Sequence, residues 1–166
     1  SVVGEELYSL RWHTDNVTQR PESAVCARRA YASYWKSPEP EYPARAIAWI
    51  DEALGSLAGN LLIWGTGIAA RLLIEWCSRH QESHPIGFIE RDPGRRGSSF
   101  HGLPVHSPSD LERLVFDRIA IASLPGQAEI EAQLQSRGFT RERDFMPVAR
   151  LLAIRGNLAA EIRDGR

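Results

Sequence analysis

The sequence has little cysteine and no long hydrophobic run. Its two cysteines, Cys26 and Cys77, are far apart and have no metal-ligand spacing, so they indicate neither a disulfide framework nor a zinc site. No apolar run approaches the roughly 20 residues of a membrane-spanning helix. The N-terminal residues also lack the basic and apolar regions of a secretory signal. These absences predict a cytoplasmic protein without a membrane partner.

The sequence also lacks an excess of charge of either sign. Its formal net charge is −1, whereas non-specific binding of nucleic acid requires a basic face that replaces phosphate counterions. We therefore predict no nucleic-acid partner. Lys36 is the single lysine, and the other basic residues are arginines, whose planar guanidinium suits phosphate. Genome composition explains this bias more simply.

Residues 1–58 are rich in tryptophan and tyrosine and predict a helical N-terminal extension. One helical pattern covers residues 22–36, and a second helix is predicted to begin at Pro43 and to end at Gly59 and Asn60. The apolar positions of the second helix recur every three or four residues: Ile47, Ile50, Leu54 and Leu57. This section is typical of packing scaffold.

From residue 61 the pattern alternates between strands and helices, as in a parallel sheet covered by helices. Buried parallel strands are predicted at 61–64, 86–90 and 119–122, with a helix at 68–80 and an edge strand at 145–148. The fold class is therefore α/β: a Rossmann-like parallel sheet with flanking helices and the helical extension. The predicted nucleotide-binding domain spans residues 59–149.

Residues 150–166 predict one C-terminal amphipathic helix. Its apolar positions are Leu151, Ile154, Leu158 and Ile162. The helix carries no chemical motif and is expected to pack on the domain that precedes it.

The most informative motif is a glycine-rich turn of the form G-x-G-x-x-A. It reads Gly65-Thr66-Gly67-Ile68-Ala69-Ala70, and it follows a predicted strand and opens a predicted helix. Gly65 allows the sharp turn, Gly67 lets a phosphate approach the backbone, and Ala70 lets the helix pack closely on the strand. The free N–H groups and the helix dipole then attract negative charge. The turn therefore predicts a phosphate site.

An acidic residue stands where a ribose-binding carboxylate is expected. Glu90 ends the second predicted strand 23 residues beyond Gly67, close to the usual spacing of about 20. Arg91 and Asp92 follow it directly, and Ser123 follows the third strand at the end where open α/β sheets bind ligands. These residues and the glycine turn form the candidate binding site. The alternative is that Glu90 caps a surface strand and the glycines only make a tight turn.

The chain after residue 61 is too short for two full mononucleotide-binding halves. A nucleotide or nucleotide-sugar therefore fits better than a complete dinucleotide. Arg95 and Arg96 lie in a glycine-flanked loop, where they could contact phosphate or simply face solvent. His101 and His106 have no neighbouring cysteine or clustered carboxylates, so no metal site is predicted.

The region around the second strand resembles a known sequence pattern. It reads Ile86-Gly87-Phe88-Ile89-Glu90-Arg91-Asp92-Pro93, then Gly97, then His101-Gly102-Leu103-Pro104-Val105-His106. This is similar to the G-F-I-D-D-D-P…G…G-x-P-V stretch of Rossmann-like domains in bacterial sugar O- and N-acyltransferases and polysaccharide-biosynthesis epimerase/dehydratases. It also resembles the C-terminal domain of sugar C-methyltransferases. The resemblance covers about residues 60–146.

The resemblance implies that Gly65, Gly67, Glu90 and Asp92 contact a nucleotide-sugar. Glu90 departs from the acyltransferase pattern, which usually has Asp, and the chain has no hexapeptide repeat, so the acyl-transfer activity does not carry over. The implied function is a nucleotide-sugar-binding domain in bacterial cell-surface glycan metabolism, accessory to catalysis elsewhere. No catalytic residues are identified.

Two other classes of function stay open. The chain could belong to an enzyme that uses NAD or S-adenosylmethionine, which an acid–base pair in the cleft would favour. It could also be a protein-interaction module that has lost its ligand. The expected partner is a small nucleotide ligand, and a homo-oligomer or a fused catalytic domain is compatible with the sequence.

Overall fold

A computed structural model of the chain describes residues 42–163, so the pattern at 22–36 lies outside the described residues. The helices are α1 (Tyr42–Gly55), α2 (Ile68–Cys77), α3 (Gln127–Ser136) and α4 (Ala149–Arg163). The strands are β1 (Gly59–Trp64), β2 (Ser83–Ile89), β3 (Ser99–Phe100), β4 (Leu103–His106), β5 (Arg118–Ile121) and β6 (Phe145–Pro147). Two 3₁₀ segments, Pro93–Arg95 and Pro108–Arg113, complete the chain order.

The strands form one sheet in the order β3-β4-β2-β1-β5-β6. β1 pairs in parallel with β2 on one edge and with β5 on the other, which confirms the predicted parallel strands. Only β3 runs antiparallel to its neighbour, β4. Without β3, the order of the parallel strands is that of a Rossmann half, 3-2-1-4-5. The protein therefore has the α/β Rossmann-like fold that the sequence predicts.

Alternate residues of β1 contribute to two separate cores, because successive side chains of a strand point to opposite faces. Leu61 and Ile63 pack with residues of α1, α2 and α4, whereas Leu62 and Trp64 pack with residues of α3. Helices therefore cover both faces of the sheet. Among the described helices, none combines the length and apolar composition that a bilayer crossing requires.

The predicted apolar stripe of α1 is confirmed. Ile50, Leu54 and Leu57 are buried, and Ile47 packs partly buried against the same core. The domain boundaries predicted at residues 58 and 149 stay predictions.

The predicted end of α1 is wrong. The helix ends at Gly55, and Gly59 and Asn60 are instead the first residues of β1. Gly59 has a φ of +98°, and a Cβ there would lie 2.6 Å from Oδ2 of Asp117. The same carboxylate oxygen accepts a hydrogen bond of 2.7 Å from the N–H of Asn60. This glycine therefore makes room for a carboxylate from a distant loop rather than stopping a helix.

Two further helix predictions need correction. α2 ends at Cys77 rather than His80, because the N–H groups of Arg79 and His80 bond three residues back and tighten the chain into a turn. In α4, Ile162 is 51% exposed rather than part of the buried stripe. It lies one turn beyond Leu158, the last residue of this helix in the core.

The side chain of Asp51 joins three helices on one face of the sheet. Its carboxylate accepts hydrogen bonds from Arg155 on α4, at 2.6 and 3.1 Å, and from the indole N–H of Trp76 on α2, at 2.8 Å. Burial alone would raise the pKa of Asp51, but the hydrogen bonds from Arg155 and Trp76 outweigh it and hold that pKa below its ordinary value of 3.8. The ionised carboxylate is thus the form that the fold stabilises.

We expect Asp51→Asn to lower the free energy of unfolding by about 1–2 kcal/mol at pH 7, because a charge-assisted hydrogen-bond network is lost. The depressed pKa of Asp51 contributes stability above pH 3.8 and loses it as the pH falls below that value. The difference between the parent and the variant should therefore shrink in acid. Urea unfolding at pH 7 and pH 3 measures both values. A constant difference at the two pH values would contradict this role of Asp51.

Candidate functional site

Gly65 makes the turn between β1 and α2. Its φ of +109° lies in the region that favours glycine, and its N–H donates a 2.9 Å hydrogen bond to the carbonyl of Ile89 at the end of β2. A Cβ on Gly65 would come within 3.3 Å of Cβ of Ser123. The position thus requires glycine both for its backbone conformation and for the close approach of the loop after β5.

Gly67 differs from Gly65, because neither its backbone nor its neighbours require glycine. Its φ of −86° and ψ of −162° are extended and allowed for any residue. A Cβ on Gly67 would meet no atom within 4 Å. Gly67 is the N-cap of α2, and no side chain caps this helix end by a hydrogen bond. The turn therefore leaves open space beside the positive end of the helix dipole.

The hydroxyl of Thr66 connects the glycine turn to the end of β2 and to the following loop. It donates to Oε2 of Glu90 at 2.8 Å and accepts from the guanidinium of Arg95 at 2.5 Å. The second oxygen of Glu90 accepts a hydrogen bond of 2.9 Å from the N–H of Arg91. Thr66 is only 7% exposed. This chain of hydrogen bonds fixes the Glu90 carboxylate beside the glycine turn.

A cleft of about 440 Å³ opens at this end of the sheet. Of the residues predicted for the site, all line the cleft except Ala70 and Asp92. Ala70 is fully buried in the core that includes α2, and the Asp92 carboxylate accepts from the N–H of Gly94, where it caps the 3₁₀ segment at 93–95. The structure thus brings the glycine turn together with Glu90, Arg91 and Ser123, and it assigns Ala70 and Asp92 to packing and loop geometry.

Several residues of the cleft were missed by the sequence reasoning: Trp64, Ala122, Leu124, Pro125, Ile130 and Ala149. Leu124 and Pro125 directly follow Ser123, so the rule that selected Ser123 at the carboxyl end of a strand could have found them. Arg95 was weighed only as a loop residue, and its contact with Thr66 across 29 positions has no local sequence signal.

The apolar part of the cleft reaches its exposed rim. Ile68 is 78% exposed on the first turn of α2, and Leu124 is 49% exposed after β5. Both line the cleft. Exposed large aliphatic side chains of this kind are common in sites whose ligand covers them.

An ion pair stands at the edge of the cleft. Arg91, which follows β2, contacts Oε2 of Glu129 on α3 at 2.7 Å. The pair lies beside Gly126, the N-cap of α3, where a Cβ would lie 3.9 Å from each charged group. The side chains of Arg91 and Glu129 are 42% and 74% exposed.

The histidines and the described cysteine have structural explanations. His101, with a φ of 49°, forms the turn between β3 and β4, and the ring of His106 packs over Gly87, where a Cβ would meet it at 3.1 Å. Within residues 42–163, no group of three or more His, Cys, Asp or Glu could hold a metal ion. Burial raises the pKa of the Cys77 thiol to about 11, which makes it a poor nucleophile at neutral pH.

The strand order and the position of the cleft define a Rossmann-like domain with a site at its topological switch point, between β1 and β5. The chain belongs to the family described as C2185-like, N-terminal, which it matches over residues 57–144, just over half of its length.

Comparison with other known proteins adds one distant likeness. The UDP-D-quinovosamine 4-dehydrogenase from Vibrio fischeri is 21% identical, with a TM-score of 0.43; the match covers 54% of this chain and 79% of that chain. No curated protein matches the chain.

We expect Thr66→Val to lower the free energy of unfolding by about 1–3 kcal/mol, because the buried hydroxyl is lost while Glu90 and Arg95 keep their polar atoms. Thr66→Ser is the matched control, since it keeps the hydroxyl and should preserve most of the stability. Urea unfolding of the parent and both variants gives the values. Equal stability of the valine and serine variants would show that the hydroxyl does not hold the site together.

Proposed function

We propose that the cleft binds a nucleotide or a nucleotide-sugar, with a phosphate against the glycine turn. The observation that carries this proposal is the environment of Gly67. Its backbone accepts any residue and a Cβ there would meet nothing, yet the position holds glycine at an uncapped helix N-terminus. A phosphate that approaches the first N–H groups of α2 would require this open space.

Glu90 is the proposed contact for the ribose. Each carboxylate oxygen accepts one hydrogen bond from the protein, from Thr66 or from the N–H of Arg91. A carboxylate oxygen has a second lone pair, so each can also accept from a ribose hydroxyl. Because both existing bonds hold the carboxylate in place, the ligand would meet an acceptor that is already oriented.

The size and the rim of the cleft suit the uncharged parts of such a ligand. Its volume of about 440 Å³ lies within the range of about 300–1,000 Å³ that is usual for small-molecule sites. The aliphatic side chains of Ile68 and Leu124 would pack against a base or a sugar. Among the described side chains that line the cleft, Glu90 and Arg91 carry the charges, a set that is suited to holding a ligand.

For the wider role, we propose an accessory nucleotide-sugar-binding domain in bacterial cell-surface glycan or sugar metabolism. The support is the resemblance of the region around residues 86–106 to the Rossmann-like domains of sugar-processing enzymes. Catalysis would reside elsewhere, in a fused domain or in another protein. NAD and S-adenosylmethionine are therefore included as ligands in the binding tests.

We expect Gly67→Val to weaken binding at least tenfold, about 1.4 kcal/mol, because the branched side chain occupies the phosphate position. The backbone of Gly67 tolerates valine, so the melting temperature should change little. Titration calorimetry with UDP, UDP-N-acetylglucosamine, NAD and S-adenosylmethionine measures the affinities. Gly55→Val is the matched control: Gly55 also faces open space but does not line the cleft. A parent protein that binds none of these ligands at millimolar concentration would refute the proposed function.

We expect Glu90→Gln to weaken binding of the preferred nucleotide about tenfold, because a neutral amide accepts a hydroxyl hydrogen bond less strongly than a carboxylate. The 2′,3′-dideoxy form of the same nucleotide should bind the parent and the variant equally, since it lacks the hydroxyls. An equal loss for both forms of the ligand would place the ribose away from Glu90.

A further inference from the structure

Arg91 is held outside the phosphate position by a partner on the other side of the cleft. It follows β2, which lies on one side of β1, whereas Glu129 belongs to α3, which follows β5 on the other side. Arg91 lines the cleft and Glu129 does not. The 2.7 Å contact between them therefore connects the two sides of the site next to the glycine turn.

The local structure of α3 explains why an acidic residue stands at this position. Gly126 caps the helix without a side chain, so no side-chain oxygen bonds to its first N–H groups. Glu129 places a negative charge in the first turn, where the helix dipole favours it. The same dipole disfavours a cation, so the guanidinium of Arg91 stays at this helix end because of Glu129.

The ion pair is easily exchanged. Both side chains are substantially exposed, and exposed ion pairs contribute little to stability. A guanidinium binds phosphate through two parallel charge-assisted hydrogen bonds, which are stronger. One guanidinium cannot make both interactions fully, so a phosphate in the cleft competes with Glu129 for Arg91.

We propose that Glu129 sets the affinity of the site for diphosphate ligands by holding Arg91 in reserve. When a nucleoside diphosphate enters, the guanidinium of Arg91 exchanges the Glu129 carboxylate for phosphate oxygens. Glu129 thereby weakens binding of the anion that Arg91 strengthens. This inference rests on the proposed function, since it requires a phosphate in the cleft.

The test compares Arg91→Gln and Glu129→Gln, two changes that break the same ion pair. Titration calorimetry uses UDP and ADP as probes, with uridine and adenosine as uncharged controls. Glu129→Gln should tighten binding of the preferred diphosphate about threefold, and Arg91→Gln should weaken it about tenfold. Binding of the matching nucleoside should be unchanged in both variants. Both side chains are exposed, and unchanged melting temperatures would show that the variants fold normally.

The double variant separates exchange from simple repulsion between Glu129 and phosphate. If Glu129 acts through Arg91, then Glu129→Gln changes diphosphate affinity in the parent but not in the Arg91→Gln background. An equal gain in both backgrounds would overturn the exchange, as would a loss of affinity in both single variants. A parent that binds neither diphosphates nor nucleosides would refute the proposed function itself, and this inference with it.

Discussion

β1 is bonded along both edges and packed on both faces, and this constraint fixes the position of the cleft. Its edges pair with β2 and β5, and its apolar residues divide between the two cores. The strand can neither slide nor rotate without moving its whole apolar set. Gly65, which follows it directly, is therefore held where its N–H reaches β2 and its missing Cβ admits the loop after β5.

Polar contacts extend this rigidity from the strand to the binding groups. Thr66 is buried, and its hydroxyl ties Glu90 and Arg95 to the glycine turn. Arg91 is held less firmly, by an exposed ion pair with Glu129. The cleft thus combines a fixed acceptor with a movable cation, so the proposed ribose contact is preorganised while the proposed phosphate contact can adjust.

The sequence predicted the features that depend on local pattern. The apolar runs located β1, β2 and β5, and the spacing from Gly67 placed Glu90 at the end of β2. The errors involve long-range contacts. Gly59 reads as a helix stop, but its conformation serves Asp117, which is 58 positions away. In the same way, Glu129 meets Arg91 across 38 positions, a contact that no periodicity reveals.

The two outermost strands of the sheet have a consequence for self-association. β3 has two residues and β6 has three, and β6 ends in Pro147, which has no N–H to donate. Short edges and an edge proline offer a poor template for a strand from another molecule. The sheet is thus protected against edge-to-edge growth into aggregates, and a fused or bound partner would dock through helices or loops rather than by extending the sheet.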